Sequence, residues 1–151
     1  MFERIVVGVS QVESATRAAK AALALAELSD ATVHLVCAID QSERGTPISD
    51  MVPGVVLASS KPPDHAPGQV KAQSHAEHFL ERVARETKVR TQGHVLPGDP
   101  AEAILQVAKE VDADLIVVGN RGMHGARRVL GSVPNTLSHH ADCSVLIVQT
   151  V

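Results

Sequence analysis

Short apolar runs alternate along the chain with segments of helical period. Ile5-Val6-Val7-Gly8-Val9 is almost wholly apolar, the pattern of a strand covered on both faces. From Ala15 to Leu28 the period changes, and Ala18, Ala22, Leu25 and Ala26 form the stripe of an amphipathic helix. Thr32 to Ile39 reads as a second strand, and Gln69 to Glu86 as a second helix with Ala72, Ala76, Phe79, Leu80 and Val83 on one side. Val89 to Leu96 predicts a third strand, interrupted at Gly93, and Pro97-Gly98 a turn. Asp99-Pro100-Ala101-Glu102 has the form of a helix start, with an acidic cap, Pro at the first position and Glu at the third. Ile104, Leu105, Ala108 and Val111 carry that helix on. Leu115 to Val118 predicts a fourth strand, Ser132 the cap of a last helix running to about His140, and Val145 to Val148 a fifth strand.

This alternation predicts the α/β class: a single doubly wound parallel sheet of five strands with helices on both faces. Right-handed crossovers leave few topologies, and the order 3-2-1-4-5 is expected, with the switch point between the first and fourth strands. Ligands of such sheets bind beyond the carboxyl ends of the strands at that switch. A site is therefore sought after Val9, after Val118 and at the end of the second strand. Residues 1–151 are expected to form one domain. Residues 40–68 break the rhythm, holding Pro47, Pro53, Pro62, Pro63 and Pro67 around the apolar stretch 51–57. They are expected to be a long insertion between the second strand and the second helix, mobile with one anchored patch.

Composition narrows the function. A chain of 151 residues buries enough surface to fold without disulfides or metal. With 44% hydrophobic and 21% charged residues it is not disordered, collagen-like or membrane-spanning. Phe2 and Phe79 are its only aromatic rings apart from histidine, and the net charge is −3, so neither base stacking nor a basic field favours nucleic acid as a partner. No apolar run approaches the ~20 residues that cross a bilayer, so no membrane partner is expected. The N-terminus enters a strand at once, without the pattern of a secretory signal, and a cytoplasmic location is expected. Cys37 and Cys143 lie in apolar runs and are expected as buried free thiols.

The chemistry concentrates after the fourth strand, in Gly119-Asn120-Arg121-Gly122-Met123-His124-Gly125-Ala126-Arg127-Arg128-Val129-Leu130-Gly131-Ser132. Glycine lets a backbone approach a ligand and adopt positive φ, and successive N–H groups in such a loop can cradle an anion. A helix starting near Ser132 adds its own unpaired N–H groups. From Leu115 to Ala141 there is no acidic residue. A phosphate site is the functional reading, against a plain glycine-rich connection with solvated arginines. The run is neither a Walker A loop nor the dinucleotide fingerprint. His75 with His78, and His139 with His140, lack ligand partners at metal spacing and read as solvated helix faces. Ser10 and Ser132 have no His–Asp arrangement about them, so no catalytic residue is assigned.

The fourth strand, this loop and Pro134-Asn135-Thr136-Leu137-Ser138-His139-His140-Ala141-Asp142-Cys143-Ser144-Val145-Leu146-Ile147-Val148 resemble the universal stress protein family over nearly the whole chain. The resemblance implies a Rossmann-like fold of the adenine nucleotide alpha hydrolase type and a homodimer formed through the strand at 143–149. Its ATP-binding members carry Gly, two residues, Gly, nine residues, Gly, then Ser or Thr. Gly119, Gly122, Gly131 and Ser132 match, with eight residues instead of nine between the second and third glycines. The family's first strand usually ends in Asp-Gly-Ser, the Asp being associated with the ribose; here Ser10, Gln11 and Val12 stand there. The resemblance implies adenine near Val9, Ala38, Ile39 and Val118, with Pro97 and Gly98 at the border. The phosphates would rest on Gly119, Gly122, Gly131 and Ser132, with Arg121, Arg127 or Arg128 offsetting charge and Asn120 and Val133 also in the nucleotide site. Mg²⁺ or Mn²⁺ would bridge phosphates, and ATP hydrolysis would be slow at most. The alternative is a stress-related dimeric scaffold that has lost tight nucleotide binding.

Overall fold

The computed structural model describes residues 1–9, 15–39, 76–78, 80–120 and 130–149. In chain order the elements are β1 (Arg4–Val9), α1 (Ala15–Ser29), β2 (Thr32–Ile39), a helical segment at 76–78 and 80–85 (α2), β3 (Thr91–Pro97), α3 (Pro100–Glu110), β4 (Leu115–Asn120), α4 (Ser132–His140) and β5 (Ser144–Gln149). The five strands form one parallel sheet in the order β3-β2-β1-β4-β5, the order the alternation predicts. The insertion expected at 40–68 lies outside the described residues.

Successive strand residues feed opposite layers. Ile5, Val7 and Val9 of β1 pack with Leu35 and Val117 against Ala18, Ala22 and Ala26 of α1 and Ala76 and Leu80 of α2. Val6, Val36, Ile116 and Val118 face the other way, onto Ala101, Ile104, Val107 and Ala108 of α3 and Leu137 of α4. Burial on both faces is why these strands read as continuous apolar runs. The alanine stripe of α1 lets that helix lie close to the sheet. Gly8 does the same for α3, since a Cβ there would come within 2.5 Å of Ile104 Cδ1.

The amino end of the sheet is tied by Asp114, whose carboxylate accepts from the backbone N–H of Glu3 at 2.8 Å and of Arg4 at 3.3 Å. At the other end Asp99 caps α3 as expected, its Oδ1 accepting from the N–H of Ala101 at 2.9 Å and of Glu102 at 3.1 Å. Two expectations are corrected. Gly131, not Ser132, is the cap of α4, and Ser132 is the first helical residue. The fourth strand does not stop at Val118: Gly119 and Asn120 continue it, paired with Val148 and Gln149 of β5. Glycine's weak strand preference hides that extension in the sequence. Cys37 and Cys143 are free thiols, Cys37 buried and Cys143 half-buried, and burial raises the pKa of both. Among the described residues no helix is long and apolar enough to cross a membrane.

Candidate functional site

The carboxyl ends of β1, β2, β3 and β4 meet at the switch point, where β1 lies between β2 and β4. Val9 ends β1, Ala38 and Ile39 end β2, and Gly119 and Asn120 end β4. Gly98 follows β3 with φ of 107° and donates its N–H to the Ile39 carbonyl at 2.9 Å. That positive φ is the one an L side chain resists, and it turns the chain from β3 into the Asp99 cap. Gly131 differs: its φ of −60° and ψ of 161° are open to any residue. A Cβ there would meet only Asn120 Oδ1 at 3.5 Å and Pro134 Cδ at 3.6 Å, ordinary contacts, so neither the protein's own packing nor the backbone demands glycine at 131.

The neck of the glycine-rich segment is closed by a side chain. Asn120 Oδ1 accepts from the Gly131 N–H at 3.1 Å, and the Gly131 carbonyl accepts from Asn135 N–H at 3.0 Å as the first bond of α4. Ser132 and Val133 follow in the first turn, where helix geometry gives their N–H groups no intrahelical acceptor. Pro134 comes next and has no N–H. The start of α4 is thereby held beside the end of β4 with two backbone donors in its first turn. Spacing singles out Asn120 only as part of the glycine run; its role as the neck's acceptor has no signature in one dimension.

The structure separates the residues grouped for an adenine. Val9 is 6% exposed and packs toward α1, while Val118 is 2% exposed and packs toward α3. Both side chains are core, on opposite faces. Ala38 and Ile39 are half-buried at the end of β2. Ser10, Arg121, Gly122, Arg127 and Arg128 lie outside the described residues. Among the described residues no three His, Cys, Asp or Glu side chains come together as metal ligands.

The sequence model of the universal stress protein family matches residues 1–149. The chain belongs to the universal stress protein family. The Bacillus subtilis universal stress protein YxiE is 30% identical over 152 residues, covering 99% of this chain and all of that one. Universal stress protein Sll1388 of Synechocystis is 41% identical over 81 residues, 51% of this chain and 53% of its own length. A solved universal stress protein in complex with cAMP superposes with a TM-score of 0.68 at 26% identity, covering 99% of this chain and 98% of that one. The Archaeoglobus fulgidus universal stress protein in complex with dAMP shares the fold, with a TM-score of 0.63 at 23% identity over 97% of both chains.

Proposed function

We propose that this universal stress protein binds an adenine nucleotide in the crevice at the carboxyl ends of β1 and β4 and acts as a stress-response binding or signalling module. The observation that carries the reading is the Asn120–Gly131 neck, which sets the first-turn amides of α4 at the switch point of a sheet whose family includes a cAMP complex. The adenine lies against Ala38, Ile39 and the backbone of Val9 and Val118, with Gly98 at the border. Phosphate rests on Gly119, Asn120, Gly122, Gly131, Ser132 and Val133, with Arg121, Arg127 or Arg128 offsetting charge. The set offers no carboxylate to a hard cation, so Mg²⁺ or Mn²⁺ would be held chiefly by the nucleotide's own phosphates, whose charge it would offset. Among the described residues none is placed to orient an attacking water, which favours hydrolysis of ATP that is slow at most.

The protein is proposed to be a cytoplasmic homodimer joined through β5. That strand lies at the sheet edge, and its Leu146 is 37% exposed. An apolar edge of this kind is a template for a second chain. Ser10 in the place of the family's Asp favours a second reading, a dimeric scaffold without tight nucleotide binding.

Calorimetric titration with ATP, ADP, AMP and cAMP, each with and without Mg²⁺, separates the two. Saturable binding of at least one nucleotide is expected. No heat from any of them, in protein shown to be folded and nucleotide-free by its 260 nm absorbance, would leave the scaffold reading.

A further inference from the structure

A second cluster lies partway along β2 and β3, before their carboxyl ends. His34 of β2 and His94 of β3 lie on the α3 face of the sheet, and Nδ1 of His34 stands 3.1 Å from Nε2 of His94. The ring centroids are 5.3 Å apart. In register His34 is opposite Gln92 and His94 opposite Val36, so the rings meet on the diagonal between neighbouring strands. His34 is 5% exposed, the one buried polar or charged residue among those described. Among the described residues β3 is the sheet's other edge and is hydrogen-bonded only to β2. The side-chain contact between the rings therefore adds to the attachment of a strand that has a single neighbour.

Two facing imidazole nitrogens can share one proton and no more. In the neutral pair one nitrogen donates and the other accepts. A first added proton goes to an outward nitrogen and leaves the shared bond in place. A second sets two N–H groups against each other at 3.1 Å and breaks the contact.

The charged groups acting on the pair come from two sides. Arg4 of β1 acts on His34 against protonation, and Glu110 of α3, whose carboxylate accepts from Gln106 Nε2 at 2.9 Å, acts on His94 in its favour. The strand neighbours on the same face, Thr32, Val36 and Gln92, carry no charge. Burial is the largest influence on each ring and lowers both pKa values from the ordinary 6.5.

We propose that the His34–His94 pair is an acid-sensitive latch on edge strand β3, closed while the two rings share one proton and opened when both are charged. The sign follows from linkage. A histidine whose pKa is lowered by folding binds more protons in the unfolded or locally opened state, so the pair's contribution to stability is fully present above the ordinary 6.5 and is lost as the pH falls below it. For one excluded proton the opening constant rises by up to tenfold per pH unit. Pro97 and Gly98 lie three and four positions beyond His94, so on the proposed binding reading, which puts them at the crevice border, loosening of β3 extends toward that border.

Amide hydrogen exchange resolved along the chain tests the latch at pH 7.5 and 5.5. In the natural protein the protection factors of β3 amides are expected to fall about tenfold between the two, with those of β1 and β4 changing less. His94→Gln and His34→Gln, each keeping a hydrogen-bonding side chain that does not titrate, are expected to lose that selective response. Imidazole titration by NMR in the natural protein needs no variant and should place both rings below 6.5. Equal acid sensitivity of β3 in the glutamine variants, an unchanged protection factor in the natural protein, or rings titrating at 6.5 or above would overturn the proposal. None of these readouts requires a nucleotide, so the latch stands or falls apart from the binding reading.

Discussion

Asn120 Oδ1 accepts the Gly131 N–H at 3.1 Å, joining the last residue of β4 to the cap of α4 across eleven positions. The bond sets which end of the Asn120 amide meets the helix and satisfies a backbone donor that is half-buried. It also makes an isosteric test of the site available. Asn120→Ala leaves the Gly131 N–H without this acceptor and is expected to cost about 1–3 kcal/mol. Asn120→Asp keeps an acceptor of the same shape, and its charge lies at a helix N-terminus, where it is favourable. The aspartate variant should therefore unfold at or above the natural denaturant midpoint. It should nevertheless bind AMP more weakly, because the carboxylate repels phosphate, while adenosine is unaffected. Paired denaturation curves and titrations check this, and an alanine variant with the natural midpoint would show that the neck is held by something else.

Gly131 and Gly98 should behave in opposite ways. A Cβ on Gly131 would meet Asn120 Oδ1 at 3.5 Å and Pro134 Cδ at 3.6 Å, ordinary contacts, and its φ is negative. Gly131→Val is therefore expected to fold within about 1 kcal/mol of the natural protein and to lose nucleotide binding through its bulk. Unchanged affinity in the folded variant would remove Gly131 from the site.

Gly98 has open space around a Cβ but a φ of 107°. Gly98→Ala is expected to lose about 1–3 kcal/mol through backbone strain alone, read as a lower denaturant midpoint. A midpoint equal to the natural one would mean that the turn relaxes freely.

Ser10 stands where the family's ribose-associated Asp is expected. Ser10→Asp is predicted to tighten ATP binding about tenfold or more, from a charge-assisted hydrogen-bond increment of ~1.5 kcal/mol. cAMP has only its 2′ hydroxyl free and should gain less. Titration of both proteins with both ligands decides it. An ATP affinity that is unchanged or weaker would refute the ribose assignment.

Leu146 tests the dimer. It is 37% exposed on edge strand β5, while Val145 and Ile147 turn inward to the α3 face. Leu146→Lys puts a charge on the edge without touching that packing. Sedimentation velocity should show a dimer for the natural protein and a monomer for the variant at micromolar concentration. A natural protein already monomeric there would end the β5 interface.

Element order, sheet order and the cap of α3 were all legible in one dimension. Strands buried on both faces are apolar at nearly every position, helices against the sheet must carry a stripe, and Asp99-Pro100 can start little else. Right-handed crossovers then leave few ways to order five parallel strands. Tertiary structure decided what periodicity does not encode. It sent Val9 and Val118 to opposite layers, because strand side chains alternate and only the paired sheet shows which layer each one meets. It extended β4 through Gly119 and Asn120, because pairing with β5 overrides glycine's weak preference. It also joined Asn120 to Gly131 and His34 to His94, partners 11 and 60 residues apart. Contacts between such distant positions depend on strand register, which a single sequence carries only through the assembled sheet.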